Sequence, residues 1–215
     1  MTKSVEWARL WIKKGAKAIA ENREYLIDLD RQIGDGDHGE NMDRGFTAVI
    51  RGEVLDNAAS GADVMKHVAR TLMSTVGGAA GPLFGTAFLR GSAKFPESEL
   101  TAGAYADVLE AAAGGVQARG KAEPGEKTMI DALIPAAHAA REVADAGGTA
   151  AEAISASANA AREGADSTEP MQATKGRASY LGERSIGHLD PGAVSSSLLL
   201  EAAAEASDEV FGVAE

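Results

Sequence analysis

Three carboxylates fall within eight residues in the string Asp30-Arg-Gln-Ile-Gly-Asp35-Gly-Asp37, which runs on into His38-Gly-Glu-Asn41. On a helix, at roughly 100° per residue, Asp35 would face away from Asp30 and Asp37. Gly34, Gly36 and Gly39 argue instead for a tight, non-helical turn that brings the three acids together. Carboxylates so clustered repel one another unless a hard divalent cation, held by their oxygens, removes the penalty; magnesium is the natural candidate. Taken alone, the segment also reads as a solvated acidic turn that binds nothing.

Two familiar patterns fail here. Gly34-x-Gly36-x-x-Gly39 has the glycine spacing of a dinucleotide-binding loop, yet its acids would face a pyrophosphate, and no alternation of strands and helices surrounds it. A calcium-binding EF-hand loop needs Glu at its twelfth position; counted from Asp30 that residue is Asn41, and from Asp35 it is Phe46.

Other segments supply the complement of an acid cluster. Val76-Gly-Gly78-Ala79-Ala80-Gly-Pro82 reads as a turn before a helix opened by proline, where small residues let backbone N–H groups approach an anion. No Gly-Lys-Ser/Thr follows, so it is not a P-loop. The clusters 119–129 and 176–192 place Lys121, Arg177 and Arg184 on loops. Together these features make a nucleotide polyphosphate the most economical ligand. Two divalent ions on three carboxylates leave one net positive charge, so nucleotide binding should require metal.

The elements that must position these residues are helical. About a fifth of the chain is alanine, the best helix former, while β-branched and aromatic residues are sparse. Val5, Ala8, Ile12, Gly15 and Ile19 form one apolar stripe, and Ala62, Met65, Ala69, Leu72 and Val76 another. Further helices are expected over 41–51, 82–93, 104–119, 129–146, 150–164 and 191–210, about eight in all. Ser60-x-x-Asp63, Thr128-x-x-Asp131, Thr149-x-x-Glu152 and Asp190-Pro191 mark starts. Short connections imply antiparallel neighbours. Residues 165–190 are too long for an idle loop in a compact fold and are expected to contribute to a site.

Composition narrows the function classes. Of 215 residues, Lys+Arg number 21 and Asp+Glu 32, giving a net charge of −11, which disfavours a nucleic-acid footprint or an anionic membrane surface. No cysteine is present, so thiolate zinc sites and cysteine nucleophiles are excluded, and a cytoplasmic setting fits. Neither a signal peptide nor a membrane span is supported, and 1–215 is expected to form one domain.

These residues resemble the L subunits of bacterial dihydroxyacetone kinases. The matching strings are Gly34-Asp-Gly-Asp-His-Gly39, Gly77-Gly-Ala-Ala-Gly-Pro-Leu-Phe-Gly85, Gly120-Lys-Ala-Glu-Pro-Gly125 with Lys127-Thr-Met129, and Gly176-Arg-Ala-Ser-Tyr180 with Gly187-His-Leu-Asp-Pro-Gly192, in family order. The resemblance implies an up-and-down barrel of eight antiparallel amphipathic helices with a nucleotide in the loops at one rim. It implies that Asp30, Asp35 and Asp37 hold two magnesium ions, and that His38, Asn41, Gly78, Ala79, Ala80, Gly120, Met129, Arg177, Asp190, Pro191 and Gly192 surround ADP or ATP. Many members carry serine where this chain has Ala80, so contacts there would come from the backbone.

A separate L subunit resembles the version fed by the phosphoenolpyruvate-dependent phosphotransferase system. Held ADP would accept phosphate from a phosphohistidine carrier, and the ATP so formed would phosphorylate dihydroxyacetone on a K subunit. Phosphoryl transfer is mostly alignment and charge neutralisation, so no catalytic nucleophile or base is expected on this chain, and His38 is expected to donate a hydrogen bond to phosphate. A transcription regulator is a further implied partner. The alternatives are a subunit of an ATP-exchanging kinase for another small carbonyl sugar, or a non-catalytic nucleotide-binding regulatory module.

Overall fold

The computed structural model describes residues 2–212. They form α1 (Lys3–Glu21), α2 (Arg23–Ile33), α3 (His38–Val49), α4 (Gly61–Thr75), α5 (Ala80–Ser92), α6 (Ala102–Gly120), α7 (Ile130–Asp145), α8 (Ala150–Asp166), a 3₁₀-helix (Arg177–Ser185) and α9 (Pro191–Phe211). No strand occurs among the described residues. The helix not foreseen from the sequence is α2. Only Asn22 separates it from α1, and with φ −99° and ψ 10° this residue bends the rod rather than reversing it. Counted as rods, α1 with α2 is one, and the expected eight are recovered.

Neighbouring helices pack on each other from α4 round to α9, and α1 closes the ring by lying against α9 on one side and α3 and α4 on the other. The seam between α1 and α9 is specific. Trp7 and Trp11 stack with ring centroids 5.1 Å apart, and their indole N–H groups donate to the carbonyls of Ala203 (3.0 Å) and Leu199 (2.7 Å). Both tryptophans are thus core, as their four-residue spacing implies. His67 bonds the Val49 carbonyl at 2.9 Å and His138 is exposed, so neither approaches the acids. Inside the ring an apolar void of about 40 Å³ remains, lined in part by Trp11, Met65, Phe84 and Phe88. No helix among the described residues is long and apolar enough to cross a membrane.

Helix starts follow local chemistry. The hydroxyls of Ser60 and Thr101 accept from Asp63 N (3.1 Å) and Ala104 N (3.2 Å), and Thr149 with Glu152 forms a reciprocal capping box. Two expected boundaries are corrected. Helix α5 begins at Ala80, with Pro82 as its third residue; proline is tolerated there because first-turn N–H groups have no intrahelical partner. Helix α7 begins at Ile130 rather than on a Thr128 cap, because the Asp131 carboxylate accepts from Gly125 N (2.5 Å) and Thr128 N (2.8 Å) and folds the preceding turn back on the helix.

Antiparallel order puts alternate connections at one end. The α2–α3, α4–α5, α6–α7 and α8–α9 connections therefore share a rim, and α3, α5, α7 and α9 all start there. At the α2–α3 corner the helices nearly touch: a Cβ on Gly39 would sit 2.2 Å from the Arg23 carbonyl oxygen and 2.9 Å from Ile27. Gly39→Ala is expected to destabilise the fold by about 1–3 kcal/mol in urea unfolding. Gly103→Ala, with nothing within 4 Å of the new methyl, should be neutral or stabilising by up to about 1 kcal/mol. Equal effects at the two positions would contradict the close packing of α2 on α3.

Candidate functional site

The acid cluster spans a helix end and a turn. Asp30 lies on the last turn of α2, and its Oδ2 accepts from the backbone N–H groups of Asp37 (2.9 Å) and His38 (3.1 Å). Its Oδ1 overhangs Gly34, where a Cβ would lie 2.1 Å away, so only glycine leaves that oxygen in place. Asp35 projects from the turn and pairs with Arg177 Nη1 at 2.5 Å. Asp37 precedes α3 and its side chain makes no capping bond. One oxygen from each carboxylate lies within 4.8 Å of the others. As the glycines imply, a turn and not a helix gathers them.

Beside the cluster is an open cavity of about 420 Å³, in the size range of small-ligand sites. All fourteen residues singled out from the sequence line it: Asp30, Asp35, Asp37, His38, Asn41, Gly78, Ala79, Ala80, Gly120, Met129, Arg177, Asp190, Pro191 and Gly192. The four rim connections thus converge on one volume. First turns of α3, α5, α7 and α9 reach its wall through Asn41, Ala80, Ile130 and Gly192. Positive dipole ends make such turns receptive to anions. Asp30 sits at the C-terminal, negative end of α2 and Asp37 is the N-cap residue of α3, so the acid cluster lies at the α2–α3 corner, with the starts of α5, α7 and α9 elsewhere on the cavity wall.

Individual side chains are held in place. Arg44 donates to the Thr75 carbonyl at 3.1 Å and to the Asn41 side-chain oxygen, which leaves the Asn41 amide N–H groups free for other partners. The His38 ring is buried with Nε2 2.9 Å from Ser195 Oγ, bracing α3 against α9. Burial pulls its pKa below the usual histidine value, opposed by Asp30, Asp37 and the Pro191 backbone, so the ring is neutral near pH 7. Met129 is buried between the cavity and the apolar interior, presenting a soft side chain to both. Asp190 Oδ2 caps α9 by accepting from Ala193 N at 2.7 Å. Its backbone N–H donates to Thr168 Oγ1 at 3.0 Å.

The cations differ from those expected. Arg177 is at the mouth, but Lys121 and Arg184 are not among the lining residues. Lys121 is an exposed left-handed cap of α6 (φ 52°), and Arg184 lies exposed beyond the break at Gly182 in the 3₁₀-helix. Arg119, Lys127 and Lys175 line the cavity instead. Arg119 has a sequence signal, since it stands at the end of an expected helix next to Gly120. Lys127 had only its place in a matching string, because nothing in a loop lysine's sequence announces burial. Glu40 is exposed and Asp43 lies 3.8 Å from Arg23, and neither belongs to the acid cluster. His188 bonds Gln32 at 2.6 Å and braces the loop to α2.

Residues 32–205 match the DAK2 domain family. The chain belongs to that family. Its DAK2 relatives include the PEP-dependent dihydroxyacetone kinase 1 ADP-binding subunit DhaL of Listeria innocua, 44% identical over 94% of this chain and 96% of the relative. The corresponding DhaL subunit of Escherichia coli is 43% identical over 93% of this chain and 95% of the relative. Among solved structures, the dihydroxyacetone kinase of C. freundii in its native form superposes with a TM-score of 0.69 at 22% identity, over 92% of this chain and 34% of that one. The same kinase with AMP-PNP and Mg2+ gives 0.67 at 23%, over 95% and 34%. The chain thus spans about a third of that kinase, and the likeness establishes the all-helical DAK2 fold.

Burial raises the Asp190 carboxyl to about 7, reinforced by Asp131 and Asp30 and opposed by the Ala193 N–H and Lys127. The folded protein therefore keeps this proton to about pH 7, whereas the unfolded chain releases it near ~3.9. Stability from this group accordingly falls as pH rises through that window. Asp190→Asn keeps a capping oxygen, so chelator-treated protein carrying it should lose less urea stability than wild type between about pH 4 and 7. Parallel stability curves for the two proteins would show that Asp190 ionises normally.

Proposed function

We propose that this chain is the ADP-binding subunit of a dihydroxyacetone kinase fed by a phosphohistidine carrier of the phosphotransferase system. In this reading Mg-bound ADP takes up phosphate from the carrier, and the resulting ATP phosphorylates dihydroxyacetone held by a substrate-binding K subunit. The observation that carries it is the convergence of three carboxylates, four helix starts and a mouth arginine on one cavity. Identity of 43–44% to separate DhaL subunits, against 32–35% to longer kinases such as the plant 3,4-dihydroxy-2-butanone kinase and rat triokinase, favours a carrier-fed subunit over an ATP-exchanging one. The match over residues 32–205 and one continuous apolar core support treating the chain as a single nucleotide-binding domain.

The residues fit a pair of magnesium ions. Asp30 is fixed by two amides on one oxygen and keeps the other over Gly34, and Asp35 and Asp37 are accessible from the cavity, a hard all-oxygen donor set with room for water and phosphate. When bound, the ions would neutralise charge on the phosphates and tie them to the carboxylates. The chain's own groups then do the positioning. N–H groups at the starts of α3, α5 and α9 orient the phosphates, Arg177 is placed to swing from Asp35 toward them, and Met129 offers an apolar face to the flat base. His38, bonded to Ser195, is a brace of the phosphate wall. None of these roles requires a proton to leave a side chain, which suits a site that aligns reactants and leaves acceptor activation to its partner. A transcription regulator as a further partner rests on the family resemblance alone.

Asp35→Asn is expected to weaken Mg·ADP binding by more than about tenfold in calorimetry, with little change in urea stability because the residue is exposed. In chelator the wild-type protein should bind ADP no better than the variant does. An unchanged affinity in Asp35→Asn would remove the acid turn from the site.

A further inference from the structure

We propose that Lys127 is a positioning residue: its buried ammonium latches segment 168–175 to the α6–α7 connection and so fixes the point from which Arg177 reaches the cavity. The inference rests on the nucleotide reading above and deepens it.

Lys127 is 1% exposed. Its Nζ donates to the carbonyls of Thr168 (2.6 Å), Met171 (3.1 Å) and Glu169 (3.3 Å), using all three protons on one short stretch of backbone. Among the described residues no carboxylate lies within 4.0 Å of it. Burial accordingly lowers its pKa, while Asp190 and Glu169 act from farther off to keep it charged. Its own backbone is left-handed (φ 60°), an unfavourable state for a lysine, and is held by the flanking turn whose Gly125 and Thr128 amides sit on Asp131. Next to it, Glu126 grips the same segment from outside. Its carbonyl accepts from Thr174 N (3.3 Å), and its carboxylate accepts from Thr174 Oγ1 (3.0 Å) and lies 3.8 Å from Lys175. Gly176 follows, and then Arg177.

The segment 168–175 lies between two helices and has little apolar anchorage of its own; Ala173 shares only a small cluster with Ile33, Ala178 and Leu181. Other bonds reach the segment, from Asp190 N to Thr168 Oγ1, from Gly187 N to the Glu169 carbonyl and from Ala173 N to Ser185 Oγ, but they come from the 3₁₀-helix and the loop after it, so only the Lys127 and Glu126 contacts tie it to the α6–α7 connection and set where Arg177 starts. A methionine at 127 would fill a similar volume but leave the Met171 carbonyl without a donor, and it would take the second donor from the Thr168 and Glu169 carbonyls, which keep Met171 N and Gly187 N. The predicted damage falls on the placement of Arg177 and not only on folding.

A double-mutant cycle tests this. Mg·ADP affinity is measured calorimetrically for wild type, Lys127→Met, Arg177→Ala and the double variant, with amide exchange followed over 168–176. Lys127→Met alone should lose on the order of tenfold in affinity, but less than about twofold when Arg177 is already alanine, and exchange should rise over 168–176 but not in α1 or α9. Wild-type affinity in Lys127→Met, or losses that multiply in the double variant, would overturn the latch. Should Lys127→Met fail to fold, Glu126→Ala opens the outer half and should lose roughly threefold, again only while Arg177 is present; an undiminished loss in the Arg177→Ala background overturns the proposal. Wild-type protein that binds no Mg·ADP would defeat the nucleotide reading instead. The latch is then judged by exchange alone, and unchanged exchange over 168–176 in Lys127→Met or Glu126→Ala overturns it.

Discussion

The structure depends on one electrostatic arrangement: in a negatively charged chain, a cluster of acids and the positive starts of several helices share one cavity. Side-chain charge does not supply the positive part, because the acids at the rim add to an overall charge of −11. Connectivity supplies it. In an up-and-down ring every second helix begins at the same end, so the positive starts of α3, α5, α7 and α9 reach one cavity, although Ile130 N, His38 N and Ala193 N are already bonded to Thr128, Asp30 and Asp190. Asp30 occupies the C-terminal turn of α2, where a cation is favoured, Asp35 the turn after it, and Asp37 the N-cap position of α3. In the proposed reading a divalent ion would join the acids to a phosphate that they would otherwise repel.

That arrangement is useful only if the rim is rigid, and rim connections lack the apolar packing of the ring. Buried polar groups substitute for it. Asp30 closes the acid turn by accepting two amides, Asp131 does the same for the turn at 125–128, and Lys127 saturates three carbonyls of the segment at 168–171. Each is a charged group satisfied by backbone, so each is strong where it is buried and costly to remove. Glycines at 34 and 39 permit the close approaches these bonds require. The site is therefore preorganised by the side chains least expected in an interior.

How much of this was legible in the sequence follows from what kind of signal each residue carries. Apolar periodicity and capping hydroxyls fixed most helices to within two or three residues, because both are local. The break at Asn22 was not visible: Asn is ordinary on a helix surface, and the second rod's stripe continues from the first. The acid turn and the glycine-rich start of α5 were legible because acids and glycines at short spacing constrain the backbone wherever they occur, whereas His38, Asn41 and Met129 were named only through the family resemblance. Lys127, Arg44 and Ser195 were not legible, since their roles are set by partners tens of residues away. For the same reason Lys121 and Arg184 misled: a cation on a glycine-rich loop says nothing about which way the loop turns it.

The interior of the ring bears on how the two halves of the molecule can vary. Its residual void of about 40 Å³ is apolar, too poor in polar partners to hold an ordered water, and walled by Trp11, Phe84 and Phe88. Met129 and Phe84 line both this void and the rim cavity. Substitutions deep in the ring therefore act on stability through packing, and reach the cavity chiefly where they displace Met129 or the tryptophan seam that sets α9. The rim's polar bonds, by contrast, contribute little to the core and hold the connections around the cavity. Barrel and rim are joined where core residues also form the cavity wall, at Phe84, Val116, Ala122, Met129 and Ile130.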